Sequence, residues 1–456
     1  MTSKGKTKGI IRSSVALQYF LLAALIAHGF VWPTRLTSFA SRSKFDAPAV
    51  STATHEGRMA VFDDVWTTIS ERYYDRGFTG LGTGLTWDAQ KSTFRALAAE
   101  TSSGPELYAV LRRMISSLND PHTRVFSPLE KFDWWRPRFV TIGLTVKEVA
   151  GLPTVVQVER GSAPERAGIV PGDIIEAVND QPALSLVQKK LNDRIAASLP
   201  VRSRAFATLV DGPPESLVEI RWKGRDGKKK SAQFKRYWRQ RELGLRVQRK
   251  NDFAMIEMDA FTREISYNFV HALRENLKNV RGIVLDLRSN GGGDAEAMTD
   301  VASAFLGSGF SLGRFIDRSG TSFAIFTRRK SALIPDRLSQ TSLPLVVLTS
   351  ERTSSAAEIL IAGLRASGRA TVIGTETCGC VLAIRTRHEL PDGGLLDISE
   401  MDFQTAQGLR LEKNGIKPDA TVLIERNDLY SRRDRGMELA ITKLKSHPQI
   451  TQISTN

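Results

Sequence analysis

The stretch GIVLDLRSNGGGDAEAMTDVASAFL, residues 282–306, joins an apolar strand to an apolar helix through three consecutive glycines. The same alternation recurs along the second half of the chain, with strands at FAMIEMDAF, PLVVLTS and ATVIGTET and helices at ISYNFVHALRENLKN and SAAEILIAGLRAS. Continuous apolar strands separated by helices are typical of an α/β layered core. We therefore predict an α/β core over residues 250–445, with the chemistry in the loops at the strand ends.

Two further segments precede this core. Residues 57–130 show helical periodicity in MAVFDDVWTTISERYYDRGF and ELYAVLRRMISSL, which predicts an N-terminal helical module. Residues 139–238 change to short strands and turns, which predicts a small β domain.

The N-terminus has the composition of an export signal. Four basic residues precede the apolar run at residues 14–32, and no acidic residue appears before Asp46. A basic head followed by an apolar run directs export. Residues 1–45 are therefore predicted to be a signal peptide, with small residues at 38–40 for cleavage, or an uncleaved anchor. We expect a periplasmic or other extracytoplasmic protein, with membrane anchoring left open.

The chain is basic, with 64 Lys and Arg against 49 Asp and Glu and a formal net charge of +15. Seven of the positive charges lie in residues 1–45, and many others lie in residues 221–250. The second group either faces an anionic membrane or envelope polymer, or forms a solvated hairpin around GRDGKKK. We expect no nucleic-acid partner, no metal and no cofactor.

The two cysteines of the chain, Cys378 and Cys380, are separated by one glycine. Two cysteines in an exported chain ordinarily suggest a disulfide, but a bridge between cysteines this close in sequence closes a strained ring. Two thiols are also too few for a zinc site without added ligands. We expect small packing residues here, with a redox or nucleophilic role for Cys380 as an alternative.

Three loops of the predicted core carry candidate catalytic groups. The glycines of LDLRSNGGGDAEA can leave backbone N–H groups free for an oxyanion or a phosphate. In SERTSSAAEILIAGL a serine stands just before a helix, as an N-cap or as a nucleophile whose oxyanion the first turn stabilises. The turn LEKNGIKPDATV brings Glu412 to the end of the core. On these local grounds alone, the cap is favoured.

LNDPHT, LDLRSNGGG, TSSAAEI, GTETCGC and NGIKPD, in this order, resemble the motifs of the C-terminal processing and tricorn-like peptidases, a superfamily of serine peptidases called S41. The resemblance runs from about residue 57 to about residue 445. It implies a crotonase/ClpP-like α/β core and a serine-type peptidase. It also implies that Ser355 is the nucleophile, and that the N–H groups of Ala356 and of Gly291 or Gly292 form the oxyanion hole.

The run GSAPERAGIVPGDIIEAVNDQPA resembles the PDZ domains of exported proteases. That resemblance implies that Ile142, Gly143, Leu144 and Thr145 bind the C-terminal carboxylate of a peptide through backbone N–H groups and add the peptide as a strand. The implied partners are proteins or peptides with free C-termini. The segment between residues 184 and 217 is longer than such a domain needs, so its helix is hard to place.

The sequence departs from the processing peptidases at the general base. Their catalytic lysine falls on Cys380, a supporting glutamine falls on Ile384, and a nearby aspartate falls on Ala366. The tricorn-like branch uses a histidine and a glutamate instead, and these positions are His122 and Glu412. Because imidazole titrates near 6.5 unaided, a histidine can accept the proton of a serine at neutral pH.

We therefore expect an exported serine endopeptidase that cleaves protein substrates, near C-termini recognised by the PDZ-like domain. His122 would serve as the base, with an apparent pKa near 6 to 7, and Glu412 would support it. The alternative is a catalytically inactive peptide-binding or scaffold protein that keeps the fold after losing the lysine.

Overall fold

The computed structural model describes residues 49–79, 81, 85–130, 133, 136–192, 199–276, 280–328 and 343–446. The predicted export segment, residues 1–45, lies outside these residues. Within the described part of the chain, no helix is both long enough and apolar enough to cross a membrane.

The helices are α1 (His55–Arg72), α2 (Trp87–Ala99), α3 (Gly104–Ser116), α4 (Ala163–Arg166), α5 (Ala183–Asn192), α6 (Leu199–Ala207), α7 (Arg263–Asn276), α8 (Ala295–Leu306), α9 (Ala356–Ala366), α10 (Arg426–Ser431) and α11 (Arg435–Lys445). The strands are β1 (Arg124–Phe126), β2 (Arg138–Thr141), β3 (Leu144–Val149), β4 (Leu152–Val158), β5 (Ile174–Val178), β6 (Gln181–Pro182), β7 (Leu217–Lys223), β8 (Lys229–Lys235), β9 (Tyr237–Gln240), β10 (Leu245–Lys250), β11 (Phe253–Met258), β12 (Gly282–Asp286), β13 (Ser311–Asp317), β14 (Ser322–Phe326), β15 (Leu345–Thr349), β16 (Ala370–Gly374), β17 (Ala383–Glu389), β18 (Leu395–Gln404) and β19 (Ala420–Thr421).

The α/β core expected from the sequence is confirmed. Its main sheet has the order β10-β11-β12-β15-β16-β19, and every pair except β10 with β11 is parallel. Helices α7, α8 and α9 pack on one face, and α11 packs on the other. All residues of β12 and β15 are buried, as expected for parallel strands covered on both faces. The loops that follow β12 and β15 therefore meet at the same edge of the sheet.

A second sheet of the core was not predicted from the sequence. It has the order β1-β18-β13-β14, and β17 also pairs with β18. Strands β17 and β18 were missed because they carry charged residues, including Asp397 and Glu400, that interrupt the apolar pattern. Strand β1 pairs antiparallel with β18, with Arg124 opposite Asp397. This pairing holds the segment that contains His122 against the core.

The helical N-terminal segment contains three helices, of which the sequence indicated α1 and α3. Helix α2 was missed because only Trp87, Gln90 and Ala98 are buried along it, so its apolar pattern is weak. Each helix begins at a hydroxyl residue whose side chain accepts a hydrogen bond from a first-turn N–H. The apolar faces of the three helices share a core with Leu396 and Ile398 of β18.

Residues 139–238 form an antiparallel sheet of order β3-β4-β5-β7-β8, with β6 paired to β5. Strand β3 is an edge strand of this sheet, and α6 packs beside it. The stretch between 184 and 217, which the sequence left unassigned, supplies most of α5 and all of α6. Strands β2 and β9, which lead into and out of this sheet, pair with each other.

Candidate active site

Ser355 occupies the tight turn between β15 and α9. It is the residue before the first turn of α9 and has φ +58° and ψ −126°. A residue with a side chain adopts positive φ only at a cost of about 1–2 kcal/mol. Its N–H donates to the Cys380 carbonyl at 2.8 Å and to Glu358 Oε2 at 3.0 Å. The turn is therefore held in a strained conformation by the neighbouring loop and by its own helix.

The glycine-rich turn after β12 packs directly against this serine. Gly292 has φ +90°, and a Cβ on it would lie 2.6 Å from Ser355 Cβ and 3.0 Å from Ala356 N. Only glycine permits this approach. The close contact explains why a glycine is needed at this position.

The two alternatives for the oxyanion hole behave differently. The N–H of Gly292 donates to Asn290 Oδ1 at 2.8 Å, and Asn290 is fully buried. That N–H is therefore engaged, which counts against Gly292 as an oxyanion donor. Among the described residues, none accepts a hydrogen bond from the N–H of Gly291 or of Ala356. Within the described part of the chain, the N–H groups of Gly291 and Ala356 thus remain available as donors.

Glu358 connects the serine turn to the loop that carries the cysteines, a role that the sequence did not indicate. Its carboxylate is fully buried. It accepts hydrogen bonds from Thr377 Oγ1 at 2.5 Å, Gly379 N at 2.8 Å, Cys380 N at 3.0 Å and Ser355 N at 3.0 Å. Burial raises the pKa of Glu358, and these donors oppose the rise. The signal that could have revealed this role is an acid in the first turn of an otherwise apolar helix.

Cys380, at the position of the expected lysine, is joined to Cys378 by a disulfide. This corrects the expectation of two packing residues. Gly379 adopts φ +67° between them, which bends the chain so that the two Cα atoms lie 5.2 Å apart, within the usual range for a disulfide. The side chain of Cys380 is therefore neither an amine nor a free thiol.

His122 lies between α3 and β1, and its side chain is 15% exposed. Its Nδ1 lies 3.9 Å from Asp120 Oδ1 and has no hydrogen-bond partner among the described residues. The pKa of His122 is lowered to about 4, chiefly by burial; the charge of Asp120 opposes this shift, and the charges of Arg124 and Arg204 add to it. The pKa near 6 to 7 expected from the sequence is wrong, because that expectation took no account of burial.

Glu412 lies beneath the loop that follows Cys380. Its side chain is buried, and Oε2 accepts hydrogen bonds from Val381 N at 2.8 Å and Leu382 N at 3.2 Å. Burial, followed by the charge of Asp120, raises the pKa of Glu412 to about 8. Within the described part of the chain, no hydrogen bond joins Glu412 or Ser355 to His122. Glu412 thus holds the loop that follows Cys380, and Asp120, which lies beside His122, also acts on Glu412 through its charge.

Residues 252–422 match the model of the Peptidase family S41. The chain carries a peptidase family S41 domain. It is 28% identical over 433 residues to "Carboxyl-terminal-processing peptidase 2, chloroplastic" of Arabidopsis thaliana. That alignment covers 90% of this chain and 77% of the relative. It is 26% identical over 312 residues to "Carboxy-terminal processing protease CtpA" of Bacillus subtilis (strain 168). That alignment covers 68% of this chain and 62% of the relative.

The fold is similar to that of a solved structure. The crystal structure of mature CPAF superposes with a TM-score of 0.67 at 12% identity, covering 86% of this chain and 97% of that one. The S41 domain and these relatives support a serine-type peptidase. The resemblance noted in the sequence is confirmed, while the roles of individual residues remain proposals.

The segment expected to capture a C-terminus leads into the edge strand β3. Ile142 and Gly143 are buried, and the Gly143 N–H donates to Thr141 Oγ1 at 2.9 Å. That N–H is engaged, so it is not a free donor in this conformation. Leu144 and Thr145 follow as the first residues of β3.

The basic segment 221–250 includes the hairpin of β7 and β8 expected around GRDGKKK. Several of its charges are paired at the surface, including Lys229 with Glu176 at 3.0 Å and Arg221 with Asp180 at 2.7 Å. This pairing favours the solvated hairpin over a membrane-binding surface.

Proposed function

We propose that this protein is an exported serine endopeptidase that cleaves protein substrates near their C-termini, with Ser355 as the nucleophile. The observation that supports the proposal is the position of Ser355, at positive φ before α9 and packed on Gly292. Such a turn presents a hydroxyl beside free N–H groups of a helix N-terminus.

The reaction would proceed through an acyl-enzyme. Ser355 Oγ attacks the scissile carbonyl, and the oxyanion accepts hydrogen bonds from the N–H groups of Ala356 and Gly291. The amine leaves with a proton, and water then hydrolyses the ester. These steps need no metal and no cofactor.

Within this proposal His122 removes the proton from Ser355. Its pKa of about 4 keeps the imidazole neutral at physiological pH, and its Nδ1 has no partner among the described residues. A base with so low a pKa is weak. Because no hydrogen bond joins the two residues in this conformation, the imidazole has to approach Ser355 when the substrate binds. Glu412, neutral near pH 7, would support the loop rather than the imidazole.

The edge strand β3 supports capture of a substrate C-terminus by this PDZ-like sheet. Its free edge lies beside α6, where an added peptide strand would fit. Lys147 of β3 forms an ion pair with Glu351 at 2.8 Å, and Glu351 belongs to the turn that carries Ser355. A peptide bound along β3 would therefore run close to the nucleophile. Contact with a membrane or envelope polymer would come from residues 1–45.

A second candidate function is peptide binding without turnover. The observation in its favour is the disulfide of Cys380, which leaves no amine where the processing peptidases carry their lysine. In that case the sheet would capture C-termini, and Ser355 would act only as the cap of α9.

The test is to treat the purified full-length protein and its Ser355→Ala variant with a fluorophosphonate probe. We expect labelling of the wild type and none of the variant. Labelling that persists in Ser355→Ala contradicts the nucleophile assignment. Peptides with a free apolar C-terminus should bind more tightly than their amides. That preference without any labelling would support the second candidate.

A further inference from the structure

We propose that Cys378 and Cys380 form a thiol–disulfide exchange site that accepts a small thiol or a dithiol protein and controls the reactivity of Ser355. The control of Ser355 rests on the proposed function above; the exchange site itself does not. Three features support it: the contacts of the bridged loop, the partial exposure of Cys378, and the absence of any other cysteine from the sequence.

The bridged loop touches the nucleophile turn at both ends. Cys378 N donates to the Thr353 carbonyl at 2.9 Å, and the Cys380 carbonyl accepts from Ser355 N at 2.8 Å. The loop also supplies two of the donors to Glu358, from Gly379 N and Cys380 N. A change in this loop therefore reaches Ser355 through direct hydrogen bonds.

The two cysteines differ in exposure. Cys378 is half-buried, whereas Cys380 is only 2% exposed. A thiolate would therefore attack Cys378 Sγ; the S–S bond breaks and its electron pair leaves on Cys380 Sγ, which takes up a proton. A second thiol attacks the mixed disulfide, releases the Cys378 thiolate for protonation and leaves as the oxidised disulfide. Two electrons and two protons pass from the reductant to the enzyme.

Reduction should slow the chemistry at Ser355. The bridge closes the turn that presents the Cys380 carbonyl, and this carbonyl helps to hold Ser355 at positive φ. Once the bridge opens, the loop gains backbone freedom, and the strained serine turn relaxes toward ordinary φ. We expect the rate of fluorophosphonate labelling to fall about three- to tenfold, the factor that one net hydrogen bond supplies.

The chain contains only these two cysteines, so a reductant can act on no other disulfide. The experiment compares oxidised and dithiothreitol-treated full-length protein by alkylation and mass spectrometry, hydrogen exchange and labelling rate. We expect no alkylated thiol before reduction and two after it. Amide exchange should be faster in residues 377–382 of the reduced protein. Reoxidation should restore the labelling rate.

The control is the double variant Cys378→Ser, Cys380→Ser. It should label at the rate of the reduced wild type and should not respond to dithiothreitol. Alkylation of the untreated protein, or unchanged hydrogen exchange and labelling after full reduction, would overturn the proposal. If reduction changes the exchange of residues 377–382 while Ser355 labels in neither state, the exchange site stands and the peptidase assignment of Ser355 fails.

Discussion

Substitution of Gly292 tests the packing that positions the nucleophile. A methyl group at this position would meet Ser355 Cβ at 2.6 Å and the Ser354 carbonyl oxygen at 2.9 Å. Gly292→Ala also places a side chain at φ +90°, which costs about 1–2 kcal/mol. Relief of the contact by movement of two packed loops adds about 1–3 kcal/mol. The serine turn has to shift by several tenths of an ångström or more.

Because a displacement of about 1 Å can cost about 10²-fold in rate, we expect Gly292→Ala to slow fluorophosphonate labelling by about 10². The matched control is Gly291→Ala. A Cβ there would meet only Ser354 Oγ, at 3.9 Å, and alanine keeps the backbone N–H that is proposed as an oxyanion donor. This variant should label at nearly the wild-type rate.

Labelling rates and thermal unfolding of the two variants would be measured side by side. Gly292→Ala should lose both reactivity and thermal stability, whereas Gly291→Ala should keep both. Equal reactivity of Gly292→Ala and the wild type would refute the packing argument. Equal loss in both variants would show that the whole turn, rather than one contact, sets the position of Ser355.

Three further substitutions probe the buried ionisable groups. Glu412→Gln should leave the free energy of unfolding about unchanged at pH 4.5 and raise it by about 4–5 kcal/mol over the wild type at pH 8. The reason is that the pKa of Glu412 in the folded protein, about 8, exceeds the ordinary 4.5, so the wild type loses stability as pH rises between these values. A difference in urea midpoint that does not grow with pH would contradict this. His122→Ala should lower turnover by a factor of about 10²–10⁴. Turnover by the wild type should stay constant from pH 8 to about 5 and fall near pH 4, where the imidazole becomes protonated. A wild-type rate that already falls below pH 7 would remove His122 as the base. Glu358→Gln should lower both the melting temperature and the rate of fluorophosphonate labelling. The amide NH₂ would face two hydrogen-bond donors, at a cost of about 1–3 kcal/mol. An unchanged melting temperature would show that the carboxylate is not needed.

Much of the core could be predicted from the sequence because its signals are local. The apolar runs of β12 and β15 and the periodicity of α8 and α9 depend only on neighbouring residues. The small-residue turn with its following acid likewise placed Ser355 at the start of a helix. The N-terminal helix α2 escaped prediction because so few of its residues are buried.

The ionisation and bonding of the site required the tertiary structure. Asp120 raises the pKa of Glu412 from a position almost 300 residues away in the chain, and no local pattern reveals that approach. Asn290 accepts a hydrogen bond from the Gly292 N–H, and Cys380 forms a disulfide with Cys378. Both depend on local backbone angles, which the sequence pattern does not specify.

By itself, the sequence determined the alternation of strands and helices, the order of the segments and the residue most suited to be a nucleophile, because periodicity and turn chemistry act over a few residues. Only the tertiary structure decided which of these groups are charged, which N–H groups are free and which side chains meet. The burial of a side chain and its pairing with other groups depend on segments that are distant in the sequence. For example, β1 pairs with β18 and so holds His122 against the core. Contributions from such distant segments shift pKa values, and the same folding brings the Glu358 carboxylate into hydrogen-bond contact with Ser355 N.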